Sequence, residues 1–229
     1  MEQISGDLTF RDSRGDVVRL ADYFDDGRPL VLVLAYYRCR MLCGLVLPQL
    51  AERLDAIRRN PGQDYRVLTV SIDPREGPED ASRKRAAVLH HFSQALPEDA
   101  WRFTVGSEAN IRTLAAQVGF SYRYDASTDQ FAHPSVIFVL TPEGKVSGYL
   151  DGLGYEAADL ESAIDEAAAG RSGSSLTAFV LNCFHFNPAL RRYGGAIAAF
   201  LRGGAALILV GVLGGVGYLW RRERRKAVA

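Results

Sequence analysis

Cys39 and Cys43 lie four residues apart, directly after the apolar run 30–37, and His133 lies just before a second apolar run. A helix makes one turn in about 3.6 residues, so two thiols four apart at a helix start lie on one face. Such a pair can bind a soft metal ion or close a disulfide. Which of these two chemistries the chain uses is the functional question, and His133 bears on it.

The run 30–37 is apolar without alternation, which is typical of a strand buried on both faces. Periodicity and turn residues predict further elements along the chain. The predicted strands are 7–12, 17–20, 30–37, 65–72, 101–105, 121–124, 136–140 and 145–150, and the predicted helices are 45–59, 78–94, 108–118 and 155–169. Strands that alternate with helices and end in a hairpin and a helix predict an α/β thioredoxin-like three-layer sandwich with an N-terminal hairpin. Sites in such sheets form at the carboxyl ends of strands, where Cys39 is predicted to lie.

The N-terminus of a helix carries unpaired N–H groups and a partial positive charge, and both favour a thiolate. Arg38 and Arg40 add nearby cations. We therefore expect a lowered pKa for Cys39. The thiolate that this favours is the form that binds metal or attacks a disulfide. Two ordinary buried cysteines are the alternative.

In a thioredoxin-like fold the loop that enters strand 136–140 faces the cysteine-bearing helix start. Two thiolates and one imidazole suit Cu(I), because soft ligands select it, whereas Zn(II) usually takes a fourth ligand. A solvated loop histidine is the alternative for His133. Pro134 leaves both chemistries open, because thiol-disulfide oxidoreductases of this fold also carry a proline, often cis, at this point.

The chain has 229 residues with 27 basic and 27 acidic side chains, so no charge footprint for nucleic acid is present. Its 3 cysteines are too few for a disulfide scaffold but enough for one redox pair or one small metal site.

Residues 203–220 contain no charged side chain, and the basic cluster 221–226 follows them. This pattern predicts a transmembrane helix over 193–220, with the C-terminus cytoplasmic and the large domain outside the cytoplasm. The predicted organisation is a domain at 1–170, a linker and juxtamembrane segment at 171–192, the span, and a basic cytoplasmic tail at 221–229.

Export of the domain needs a signal that is not present at Met1, so we expect one upstream of this sequence. The alternative is a tail-anchored protein with a cytosolic domain. Gly211 and Gly215 form a G-x-x-x-G pair that would allow a homodimer through the span, although glycine-rich segments produce such pairs easily.

Three further residues are candidates for the site. Asp73, at the end of strand 65–72, is a partner for a metal ligand or a cap for the next helix, with both alternatives open. Cys183 and His185, two apart before the predicted span, could form an extra metal pair, but they supply only two ligands. A structural juxtamembrane segment is the alternative for them.

The chain resembles the Sco/SenC family of copper-binding, thioredoxin-like proteins that assist cytochrome c oxidase assembly. The resemblance extends over about residues 5–170. It is carried by Tyr-Arg-Cys-Arg-Met-Leu-Cys at 37–43, Val-Ser-Ile-Asp-Pro-Arg-Glu at 70–76, Phe-Ala-His at 131–133 and Leu-Thr-Pro-Glu-Gly at 140–144. It implies that Cys39, Cys43 and His133 bind copper, in a membrane-tethered periplasmic domain of the bacterial, C-terminally anchored type. It also implies a cytochrome c oxidase subunit, or another copper or thiol acceptor, as the partner.

Four positions depart from the family pattern. Arg40 and Gly44 stand where prolines are usual, Pro134 where serine is usual, and Thr141 where aspartate is usual. Arg40 puts a cation beside the site, which favours thiolate but weakens the binding of a copper ion electrostatically.

Three functions compete. The first is a copper-binding assembly factor, a metallochaperone rather than a classical enzyme, which delivers Cu(I), reduces acceptor thiols, or both. The second is a membrane-tethered thiol-disulfide oxidoreductase in which Cys39 attacks and Cys43 resolves. The third, a peroxidase, lacks the Pro-x-x-x-Thr-x-x-Cys arrangement before Cys39.

Overall fold

The computed structural model describes residues 3–24, 26–38, 43–93 and 95–171, and two short strands after them; for residues 43 and 44 and for those two strands it describes the backbone only. The strands are β1 Thr9–Asp12, β2 Val17–Arg19, β3 Leu30–Ala35, β4 Arg66–Ser71, β5 Trp101–Val105, β6 Arg123–Asp125, β7 Gln130–Ala132, β8 Val136–Leu140, β9 Val146–Asp151, β10 Phe186–Asn187 and β11 Arg192–Tyr193. The helices are α1 Ala21–Phe24, α2 Cys43–Ala56, α3 Pro78–Leu89, α4 Glu108–Gln117 and α5 Ala157–Ala168.

Seven strands form one sheet in the order β2-β1-β5-β4-β3-β8-β9. Strands β3, β4 and β5 run parallel, and β8 pairs antiparallel with β3 through Leu30↔Leu140 to Val33↔Ile137. Because β8 runs against β3, the start of β8 lies beside the end of β3. The chain that leaves β3 and the chain that enters β8 therefore meet at one edge of the sheet.

The sheet is covered on both faces, which makes a three-layer arrangement. Side chains alternate along β3: Leu30, Leu32 and Leu34 face the layer of α4, while Val31 and Val33 face α2, α3 and α5. All six side chains of β3 are buried, as the unbroken apolar run predicts. The mixed α/β, thioredoxin-like fold predicted from the sequence is confirmed.

Two elements were not predicted from the sequence. The first is the short helix α1, and the second is strand β7, which pairs with β6 in a hairpin through Arg123↔Ala132 and Asp125↔Gln130. Strand β3 and helix α3 also end earlier than predicted, at Ala35 and Leu89.

The chain divides into two units, Met1–Ser174 and Ser175–Ala229. In the first, α5 ends where Gly170 takes a left-handed conformation (φ 70°), the usual residue for such a cap. In the second, the description is limited to the antiparallel pair β10–β11, whose last residue, Tyr193, was predicted to begin the membrane span. The rest of the predicted span and the basic tail lie outside the described residues.

None of the helices in the described part of the chain has the length and apolar character that crossing a bilayer requires.

Candidate metal centre

The predicted cysteine site lies between β3 and α2. Strand β3 ends at Ala35, the description continues to Arg38, and α2 begins at Cys43. Cys39 lies outside the described residues, and of Cys43 only the backbone is described. Cys43 is the first residue of a helix, while the position of Cys39 and those of both sulfurs remain predictions.

His133 lies next to the chain that leads into the cysteines. It falls between β7 and β8, and its ring packs edge-on against the ring of Tyr36, with centroids 5.9 Å apart. On another side the ring of Phe120 lies 5.7 Å away. The structure therefore brings His133 within one aromatic contact of a residue three positions before Cys39.

The state of the His133 ring suits a metal ligand. Burial lowers the pKa of His133 below its ordinary value, so the ring is neutral at pH 7. Its Nδ1 lies 2.8 Å from the carbonyl oxygen of Pro134. Because a carbonyl oxygen only accepts, this contact is a hydrogen bond when Nδ1 carries the proton, which leaves the lone pair on Nε2.

The peptide bond between His133 and Pro134 is trans, like every other peptide bond in the described part of the chain. The cis-proline that an oxidoreductase of this fold often carries is therefore not found at Pro134.

Asp73 does not cap the next helix. Helix α3 begins after Gly77, and the Asp73 carboxylate instead binds Arg75: Oδ1 accepts from the backbone N and Nε, and Oδ2 accepts from Nη2, at 2.8–2.9 Å. Asp73 is 2% exposed. The capping alternative is wrong because Asp73 lies too far before the helix. A role for Asp73 beside a metal ligand stays a prediction.

Glu76 was not singled out from the sequence, yet it holds the chain just before Cys39. Its carboxylate accepts hydrogen bonds from the backbone N–H of Tyr37 at 2.9 Å, from the N–H of Arg38 at 2.8 Å and from the Ser71 hydroxyl at 2.6 Å. Burial raises the pKa of Glu76. A carboxylate paired with two consecutive N–H groups fixes the direction in which the backbone leaves β3.

The two tyrosines after β3 point to opposite faces of the sheet. Tyr36 belongs to the apolar cluster on the α4 side, and Tyr37 to the cluster on the opposite side. The Tyr37 hydroxyl donates to the Thr104 carbonyl at 2.6 Å. The segment that precedes Cys39 is thus held by its backbone and by both side chains.

Arg38 is paired with Asp80, a residue of α3, at 3.1 Å. The hydrogen bond from Arg38 lowers the pKa of the Asp80 carboxyl. Asp80 is also paired with Arg83, and Cys39 lies outside the described residues, so the expectation that Arg38 favours the Cys39 thiolate stays a prediction.

Arg75 joins the loop after β4 to the β6–β7 hairpin. Its Nη1 donates to Asp129 at 2.9 Å and to the Tyr124 hydroxyl at 3.2 Å, and its guanidinium lies 4.8 Å from the centre of the Tyr124 ring. The ring of Phe131, on β7, contacts both Tyr36 and Tyr124. A continuous set of contacts therefore connects this loop, the hairpin and the residues around His133.

A groove of about 730 Å³ opens beside these residues. It is lined on one side by the loop after β4, including Asp73 and Arg75, and on the other by α4 and the hairpin, including Arg112 and Tyr124. Phe120 and Phe131 form part of its lining, so the groove reaches the aromatic residues around His133.

The remaining site predictions lie outside what the structure describes. Cys183 and His185 are not among the described residues. Within the described part, no group of three or more His, Cys, Asp or Glu side chains is arranged to hold a metal. Cys39 and the side chain of Cys43 lie outside this described part, so the site predicted from Cys39, Cys43 and His133 stays a prediction.

The comparisons with known proteins identify the family. The SCO1/SenC family model matches residues 1–169, and the chain belongs to this family. No curated protein matches the chain.

Solved structures with the same fold include a protein from Aquifex aeolicus VF5, described as a proposed electron transfer protein. It is 24% identical over 76% of this chain and 96% of its own, with a TM-score of 0.62. Arabidopsis thaliana ScoI with copper bound is 18% identical over 72% and 96%, with a TM-score of 0.56. BsSco, described as a member of the Sco family of cytochrome c oxidase assembly proteins and as having a disulfide switch, is 20% identical over 73% and 96%, with a TM-score of 0.57. At these identities the similarity establishes the fold.

Proposed function

We propose that this protein binds Cu(I) through Cys39, Cys43 and His133 and assists the assembly of a copper site in a respiratory cytochrome c oxidase. The observation that carries the proposal is the contact between His133 and Tyr36, which brings the imidazole to the end of β3 where the cysteine segment begins. Copper is the cargo in this proposal and passes to an acceptor by exchange of ligands.

The donor set fits this cargo. Two thiolates and a neutral imidazole are soft to intermediate ligands, and three of them satisfy Cu(I) without a fourth. Burial keeps His133 neutral, so the ring needs no deprotonation before it binds metal. Family membership and the copper-bound relative support the same assignment.

The proposal also includes a partner that accepts the copper and a location in the cell. A subunit of the oxidase, or another copper or thiol acceptor, is the proposed partner, in keeping with the assembly family to which BsSco is assigned. A tether in the inner membrane, with the domain on the periplasmic side, is supported by the uncharged residues 203–220 and the basic cluster 221–226 that follows. A homodimer through the span stays a prediction.

Anaerobic titration with Cu(I), in competition with a chromophoric chelator, tests the proposal. The experiment uses the full chain in detergent, as wild type, His133→Ala and His90→Ala. His90 is an exposed histidine that follows α3 and serves as the matched control. We expect His133→Ala to lose at least about tenfold in affinity, since it removes one ligand, and His90→Ala to bind like wild type.

A disulfide assay in the same samples separates the two chemistries. We expect Cys39 and Cys43 of His133→Ala to oxidise and reduce as in wild type. Full copper affinity in His133→Ala would show that the three-ligand site is wrong. Catalytic turnover of a model disulfide, together with weak copper binding by wild type, would favour the oxidoreductase instead.

A further inference from the structure

Arg75 and Glu76 are neighbours in the sequence, and they contact the two parts of the chain that the proposed site brings together. Glu76 accepts hydrogen bonds from Tyr37 and Arg38, which lead into the cysteine segment. Arg75 donates to Asp129 and Tyr124, on the hairpin that leads into His133. One short loop after β4 therefore touches both parts.

The Glu76 carboxylate is buried and is held in place by the central sheet. It is 5% exposed, and the Ser71 hydroxyl donates to the same carboxylate oxygen that accepts from the Tyr37 N–H. Ser71 is the last residue of β4, so the central sheet itself fixes the carboxylate. The backbone at Tyr37 and Arg38 is thus tied to the strand beside its own.

The Arg75 guanidinium bridges Asp73 and the β6–β7 hairpin. Asp73 holds one side of its guanidinium through Nε and Nη2, both at 2.8 Å, which leaves Nη1 to bind the hairpin. Its partner there, Asp129, has a φ of 51°, a left-handed conformation that costs energy for a residue other than glycine. The contacts with Arg75 and Tyr124 favour this conformation, because they bind the carboxylate that it presents.

We propose that Arg75 and Glu76 are positioning residues, which together set where the His133 loop lies relative to the chain entering the cysteines. Their Cα atoms are about 3.8 Å apart across one trans peptide, so the two sets of contacts are in effect one rigid connection. The inference deepens the proposed function and rests on it for the role of copper. The connection itself involves only residues seen in the structure.

A double-mutant cycle tests the part of Arg75. In the wild-type background we expect Arg75→Ala to weaken Cu(I) affinity about tenfold. In the His133→Ala background, where the dithiol alone binds, we expect no further loss, because Arg75 acts through His133. Arg112→Ala is the matched control, since Arg112 lines the same groove and is paired with Glu108. Equal losses in both backgrounds would overturn the assignment and indicate general destabilisation.

The effect of replacing Glu76, unlike that of replacing Arg75, should not depend on whether His133 is present. We expect Glu76→Gln to weaken Cu(I) affinity by a similar factor in both the wild-type and His133→Ala backgrounds, because Glu76 acts on the cysteine side of the site. Glu79→Gln, at an exposed carboxylate on α3, is the control and should leave the affinity unchanged. A loss that disappears in His133→Ala would contradict this role.

Measurements without copper separate failure of this inference from failure of the proposed function. In metal-free protein we expect the imidazole resonances of His133 to move in Arg75→Ala but not in Arg112→Ala, because the Tyr36 ring would no longer lie at the same distance. We expect amide exchange of Tyr37 and Arg38 to accelerate in Glu76→Gln. If wild type binds no copper but these changes occur, the positioning role of Arg75 and Glu76 is supported and the proposed copper function is contradicted. Unchanged resonances and exchange would overturn the connection.

Arg75→Lys serves if Arg75→Ala fails to fold. It keeps the charge but loses the fork that binds Asp73 and Asp129 together, so we expect the same pattern with a smaller change. A lysine variant identical to wild type in both Cu(I) affinity and His133 resonances would contradict the bridging role of Arg75.

Discussion

The ring of Tyr36 lies edge-on to the ring of His133, with 5.9 Å between centroids and 76° between planes. The two residues belong to different strand ends, one leaving β3 and the other entering β8. Their contact depends on the antiparallel pairing of β3 with β8. The packing of an uncharged aromatic ring against the imidazole also helps to explain why burial lowers the pKa of His133.

Replacing Tyr36 with leucine should weaken copper binding without removing a ligand. The substitution takes away the ring that His133 and Phe131 both contact. We expect about a tenfold loss of Cu(I) affinity, the lower end of what changes around metal ligands cost. Chelator competition measures it. Tyr36→Phe keeps the ring and should lose much less; equal losses in the two variants would show that the hydroxyl, not the ring, matters.

The stability of the metal-free protein should fall as the pH is lowered through the ordinary pKa of histidine. The pKa of His133 is lowered from 6.5 in the folded state, so below that pH the unfolded chain binds a proton that the folded protein does not. The contribution is fully present above 6.5 and is lost progressively on acidification. Urea unfolding between about pH 7 and about pH 5 measures the slope.

His133→Gln isolates this contribution from that of the carboxylates. We expect a shallower fall in the free energy of unfolding for His133→Gln than for wild type. His90→Gln, at an exposed position, should keep the wild-type slope. Identical slopes for wild type and His133→Gln would contradict the lowered pKa.

Gly152→Ala should disturb the segment that carries His133. A methyl group at Gly152 would lie 2.4 Å from the Ser135 Oγ and 3.1 Å from its carbonyl carbon, and the Gly152 N–H donates to the Ser135 carbonyl at 2.9 Å. Ser135 or its backbone must move to make room, two residues from the proposed ligand. We expect the free energy of unfolding to fall by about 1–3 kcal/mol, the usual cost of overpacking, and copper affinity to fall with it.

Gly148→Ala is the matched control for Gly152→Ala. Gly148 lies on β9 with no atom within 4 Å of the position that a methyl group would occupy. Chemical denaturation should find Gly148→Ala close to wild type. If Gly152→Ala left the free energy of unfolding equally unchanged, the segment after His133 would move to make room more easily than its packing indicates.

Much of the frame around the site could be predicted from the sequence. The unbroken apolar run 30–37 predicted β3, a strand was predicted at β4, and β5 and β8 were predicted with their observed bounds. These strands set the layers and the meeting of His133 with the end of β3, because strand pairing follows the hydrophobic pattern. The predicted start of the helix at residue 108 is also correct, and the Ser107 side chain caps it by accepting from the Asn110 N–H.

The supports of the site could not be predicted in the same way. Glu76 accepts hydrogen bonds from backbone N–H groups, and because every residue except proline carries such a donor, the contact leaves no side-chain pattern at positions 37 and 38. Arg75 and Asp129 are far apart in the sequence and meet only through the hairpin β6–β7, whose strands of three residues are too short for a periodicity argument. The one available signal was a pair of charged residues, Arg75 and Glu76, directly after a buried strand.

The parallel run of β3 and β4 has a practical consequence. His133 lies beside the end of β3, while exposed Arg58, Asn60 and Gln63 precede the start of β4. Six residues of strand separate the two edges by about 20 Å. A dye or a solid support attached at that far edge would leave the proposed copper-binding edge open, so the encounter with an acceptor could be timed on the intact molecule.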